Sequence, residues 1–163
     1  MRRLTFTLAV LAVAATFTPG PALAAAKGTD RPLRGTSVST TSLDVATGTG
    51  STVGSGQISH LGRFTFTNDI TSFTLTGNAT TITLTGVIVA ANGDEVHTTA
   101  TGAGTLSATG GQLTLVSTVV GGTGRFVDAS GTLTSTITSR IVSTVGSKVT
   151  STDNEVHEGR VSY

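Results

Sequence analysis

The stretch Thr132-Leu133-Thr134-Ser135-Thr136-Ile137-Thr138-Ser139-Arg140-Ile141-Val142-Ser143-Thr144-Val145 places Leu133, Ile137, Ile141 and Val145 at one parity and Thr132, Thr134, Thr136, Thr138 and Thr144 at the other. Successive side chains of a β-strand point to opposite faces. The segment therefore reads as a strand with one buried face and one wet face. Similar alternation recurs over 36–45, 64–67, 73–76, 80–89, 96–101, 112–120 and 148–156. No segment carries apolar residues at the three-and-four spacing of an amphipathic helix.

Turn signals separate these runs at Gly48-Thr49-Gly50, Gly54-Ser55-Gly56, Gly77-Asn78, Asn92-Gly93, Gly110-Gly111, Gly121-Gly122-Thr123-Gly124 and Gly146-Ser147. Asn92-Gly93 predicts a two-residue hairpin turn that pairs Ala90 with Glu95 and Val89 with Val96. A chain of 163 residues with 35 threonines, 16 serines, 21 glycines and only 12% charged residues fits one all-β domain. About eight strands with short connections predict a single antiparallel up-and-down β-barrel. Closure removes the uncharged edges that would otherwise invite edge-to-edge association.

Met1-Arg2-Arg3, the apolar run from Leu4 to Phe17, and Ala22-Leu23-Ala24 read as a secretory signal peptide over 1–24, cut before Ala25. A polar lead-in over 25–33 and the barrel over 34–163 would follow. Without the leader, eight Lys and Arg face nine Asp and Glu, and the cations are scattered. This pattern argues against nucleic-acid binding and against membrane attachment after cleavage. Absence of cysteine excludes disulfide staples and thiol chemistry. With no Trp and one Tyr, sugar stacking has little to work with. A Gly-x-Ser-x-Gly nucleophile elbow is also absent.

Three motifs, His60-Leu61-Gly62-Arg63-Phe64, Ala90-Ala91-Asn92-Gly93-Asp94-Glu95 and Gly121-Gly122-Thr123-Gly124-Arg125-Phe126, together resemble small exported bacterial proteins. The third is also similar to the glycine-rich turn of allene oxide cyclase and dirigent proteins. The three stretches together span about 59–131, and the resemblance implies an eight-stranded calycin-like barrel and room for an apolar ligand. It carries over no catalytic residue, and fold likeness does not transfer activity.

The candidate site residues fall into three groups. His60 suits acid-base work near neutral pH, and Arg63, Phe64 and Phe126 are candidates for ligand contact. Phe126 reads as a core plug beneath a turn, and Arg125 as the local ion-pair partner of Asp128. Glu95 and His97 share a strand face. If Ile82, Leu84 and Ile88 point inward, this pair lines the cavity; if Gly86 carries a bulge, Val87, Val89 and Val96 point inward and the pair is solvated. The second arrangement buries more branched carbon and is the expectation. Asp153, Glu155 and His157 alternate in a pattern that could hold a cation. An exposed polar edge explains them more simply, and no metal or other cofactor is expected. The expected role is a non-catalytic extracellular binding or structural module, with a small apolar ligand as the partner. The alternatives are an isomerase or cyclase acting inside the barrel on His60 or on Glu95 with His97, and a self-associating surface protein.

Overall fold

The computed structural model describes Gly28 and residues 30–163, so the leader and most of the lead-in lie outside the described residues. The strands are β1 (Arg31–Asp44), β2 (Thr49–Ile58), β3 (Gly62–Thr76), β4 (Ala79–Ala90), β5 (Glu95–Ser107), β6 (Gly110–Gly122), β7 (Ser130–Val145) and β8 (Lys148–Ser162). Each pairs antiparallel with its neighbours, and β8 returns to β1, which closes the barrel. The protein is an eight-stranded, all-antiparallel β-barrel.

The strand count matches the sequence reading, but the strands themselves differ. β2 lies where Gly48-Thr49-Gly50 and Gly54-Ser55-Gly56 read as turns. Its glycines make space: a Cβ on Gly54 would lie 2.5 Å from the Phe66 ring. Conversely, the runs at 64–67 and 73–76 are one strand, β3, interrupted by a register shift between Ile70 and Ser72. β1 begins at Arg31, so Leu33 belongs to the core and not to a lead-in. On β7, Leu133, Ile137 and Ile141 face inward as the alternation predicts. A shift between Ile141 and Ser143 then turns Val145 out, and it is 74% exposed.

The β4–β5 hairpin is slipped by one residue from the predicted register. Val89 pairs with Glu95, and Ile88 with Val96. The loop is closed by hydrogen bonds from Gly93 N–H to Ala90 O and from Ala90 N–H to Asp94 O, and Gly93 takes a φ of +87°. This is a three-residue loop with a left-handed final residue, not the two-residue turn. A one-residue slip exchanges the two faces of the strand.

The barrel ends differ. At one, the β6–β7 loop folds inward as a single 3₁₀ turn, Gly124–Phe126, whose phenyl ring is 0% exposed. Phe126 packs edge-on against Tyr163 at a centroid distance of 4.7 Å, and Leu33, Leu61 and Val161 complete the seal. Arg125 pairs with Asp94 at 3.7 Å, not with Asp128, and lies over the Phe126 ring. At the other end, short turns join β1–β2, β3–β4, β5–β6 and β7–β8 around a ring of half-buried apolar side chains, including Phe73, Ile82, Leu106 and Leu113.

Candidate functional site

The closed ring reverses the reading of the C-terminal alternation. β8 has no free edge, because it is hydrogen-bonded to both β7 and β1. Asp153, Glu155 and His157 share parity with the buried Val161, so all three point into the barrel and are only 5–7% exposed. Their alternation partners Asn154 and Glu158 face solvent. Among the described residues these three are the only titratable side chains buried, and no buried Lys or Arg accompanies them.

Small hydroxyl residues from the flanking strands hold the row. The Asp153 carboxylate accepts from Thr41 (2.6 Å), Ser139 (2.6 Å) and Ser151 (2.9 Å), which fills both of its oxygens. His157 is held between two serines, with Nε2 2.8 Å from Ser37 Oγ and Nδ1 2.8 Å from Ser135 Oγ. Glu155 Oε1 accepts from Ser39 at 2.7 Å. Its Oε2 lies 3.8 Å from His157 Nε2, beyond hydrogen-bond length.

Burial sets the protonation of the row, because loss of water penalises whichever form carries charge. It pushes His157 down to about 4, so the ring is neutral at pH 7. It also raises the Glu155 carboxyl above its usual range; the Ser39 and Ser37 hydroxyls partly offset this, and the charge of Asp153 adds to it.

The interior is two-faced. β7, β8, β1 and β2 contribute the polar row with its serines and threonines. β3 to β6 contribute mainly apolar side chains, Phe64, Phe66, Ile70, Leu84, Val96, Ala100, Leu115 and Val119, with Asn68, Thr98 and Ser117 among them, and the polar half adds Leu33, Leu43, Ile58, Leu133 and Val161 to the core. Two cavities lie between these halves. One, of about 60 Å³ open to the centre of a water-sized sphere, lies toward the sealed end beside His157. The other, of about 80 Å³ on the same measure, lies toward the turn end beside Asp153. Asn68, Leu84, Leu115 and Glu155 line both and form the partition between them. Each is smaller than the roughly 300 Å³ of an ordinary ligand pocket, but each exceeds the roughly 10–15 Å³ one water needs.

The other sequence candidates divide between the outer surface and the sealed end of the interior. His60 sits exposed in the β2–β3 turn with a φ of +68°, and its carbonyl is 3.5 Å from the Tyr163 hydroxyl. Arg63 faces outward, whereas Phe64 lines the cavity toward the sealed end and Phe126 seals that end. Glu95 and His97 hydrogen-bond to each other at 2.9 Å on the outer face, with side chains about two-fifths exposed. The pair is solvated as expected, but for a different reason. Ile82, Leu84 and Ile88 do point inward, and the slipped hairpin turns Glu95 and His97 away; Gly86 carries no bulge.

The row does not form a nucleophilic triad. His157 Nδ1 meets a serine where an orienting carboxylate would be needed, and Glu155 stands beside Nε2. Nor do Asp153, Glu155 and His157 converge as a metal-holding group; none is found among the described residues. Comparison of the chain with known protein families, with curated proteins and with solved structures gives no match.

Proposed function

We propose that this protein is an exported, non-catalytic binding barrel that holds one small molecule inside. The guest's apolar body lies against β3–β6, and its polar end lies against Glu155. The observation that carries this reading is the interior itself, with a buried acidic side chain, Glu155, between two cavities, hydrogen-bonded at Oε1 by Ser39 and 3.8 Å from His157 Nε2 at Oε2. Eight-stranded barrels are just wide enough to be filled by side chains or to hold one small ligand. A barrel serving only as a scaffold would be more stable with apolar residues at 153, 155 and 157, since buried charge without a countercharge is costly. The leader-like start at Met1-Arg2-Arg3 and the signal-peptidase pattern at Ala22-Leu23-Ala24 support export. The turn at Gly121-Gly122-Thr123-Gly124-Arg125-Phe126, which resembles the glycine-rich turn of allene oxide cyclase and dirigent proteins, supports the same kind of barrel.

The test is entry of xenon, a neutral probe small enough for either cavity, followed by methyl NMR on the protein without its leader. Saturable shifts confined to Leu84, Leu115 and Ile82 are expected. Shifts only at exposed methyls such as Val145, or none at all, would overturn the reading.

A further inference from the structure

The buried row carries an imbalance of charge. Two acidic side chains, Asp153 and Glu155, share the polar wall with an imidazole that is neutral at pH 7; burial favours the protonated form of Glu155, and among the described residues no buried Lys or Arg offers either acid a countercharge. Buried charges in proteins are ordinarily paired. The two acids are also unequal. Asp153 receives three hydroxyl hydrogen bonds and serves as an anchor that ties β8 to β1 and β7. Glu155, 7% exposed, receives one on Oε1 from Ser39 and lines both cavities.

The geometry points to a small organic cation as the guest, a primary ammonium group on Glu155 Oε2 with a short aliphatic body in the cavity toward the turn end. This rests on the binding reading above and names its ligand class. Three features support it. First, an ammonium supplies a countercharge that would hold Glu155 in its ionised form together with a further donor, whereas a neutral alcohol supplies only the donor and a carboxylate would add negative charge beside Asp153 and Glu155. Charge-assisted hydrogen bonds are roughly twice as strong as neutral ones. Second, Ile70, Phe73, Ile82, Leu84 and Leu113 line the cavity opposite Asp153 and Glu155, which suits an aliphatic chain. About 80 Å³ corresponds to roughly five to eight non-hydrogen atoms if each needs the 10–15 Å³ that admits one water. Third, the apolar ring at the turn end is only half-buried, while the opposite end is sealed by Phe126, so entry is from the turn side.

The test compares butylammonium, butanol and butyrate, which share size and differ in charge, by calorimetry and methyl NMR at pH 7 on the protein without its leader. Butylammonium is expected to bind at least about tenfold more tightly than butanol, with shifts at Ile82, Leu84 and Leu113, and butyrate not at all. Glu155→Gln should bring the amine to the level of the alcohol. The wild-type series decides the question even if that variant does not fold. Butanol binding as tightly as butylammonium overturns the cation assignment and leaves the binding reading standing. Exclusion of all three probes together with xenon overturns both.

Discussion

The two ionisable groups beside the cavity partition make opposite contributions to stability between pH 4 and 7, and this can be tested without knowing the ligand. The unfolded imidazole titrates near 6.5, and folded His157 at about 4. Between these values the unfolded chain binds the proton and the native barrel does not, so stability rises with pH through that window and is lost as pH falls toward 4. At about 1.4 kcal/mol per pH unit the gap amounts to about 3 kcal/mol. Glu155 acts in the reverse sense. Its folded value is raised, so the native state holds a proton that the unfolded chain releases, and its contribution is lost as pH climbs above 4.5. The wild type should therefore show a flattened profile. Urea unfolding of Glu155→Gln and of Glu155→Gln with His157→Asn, from pH 4 to 7, isolates the imidazole, because Asp153 and every surface carboxylate are present in both. The difference between the two variants should grow by about 3 kcal/mol in favour of the one retaining His157. Parallel profiles would mean that His157 is solvated, and the inward assignment of the whole β8 row would fall with it.

Other perturbations follow from the same geometry. Phe126→Ala should cost about 3–5 kcal/mol in urea unfolding, since it empties a fully buried site under the β6–β7 loop; a loss below about 1 kcal/mol would show that this end is not sealed by the ring. Gly54→Val should unfold the barrel or lower its melting temperature sharply, because a Cβ there would lie 2.5 Å from the Phe66 ring, while Ser55→Val on the outer face should change little. Ile137→Asp, at an inward position, should lower the melting temperature far more than Thr136→Asp on the outer face, and equal effects would refute the parity. Glu95→Gln should alter stability by no more than about 1 kcal/mol and leave xenon entry unchanged, since its partner His97 is equally solvated.

Closure was legible in the sequence because it follows from a count and a composition: about eight alternating runs, short turns, and too little charge to protect open edges. Which residues made the strands was less so. Glycine has two meanings in a barrel, a turn or a vacancy for a neighbour's ring, and the difference at Gly54 depends on Phe66, two strand positions that pair directly across β2 and β3. The hairpin slip at Asn92-Gly93 was not legible either, since a single residue of loop length separates the two registers and the hydrogen bonds from Gly93 to Ala90 and from Ala90 to Asp94 select one of them.

The polar row left a signal that apolar counting passes over. On β7 the inward parity reads Leu133, Ser135, Ile137, Ser139, Ile141, and on β1 it reads Leu33, Gly35, Ser37, Ser39, Thr41, Leu43, while most outward positions are Thr or Val. Serine among the oily positions of a strand has little solvent to satisfy its hydroxyl, so it needs a buried acceptor, which a polar side chain on a neighbouring strand can supply. Two such strands flank β8, whose own inward parity carries Asp153, Glu155 and His157, each with a serine partner on one or both sides. An exposed edge would require no such partners. The distribution of serine against threonine between the two faces therefore carries the information that acid and imidazole lie inside, and only closure of β8 onto β1 makes those donors and acceptors meet.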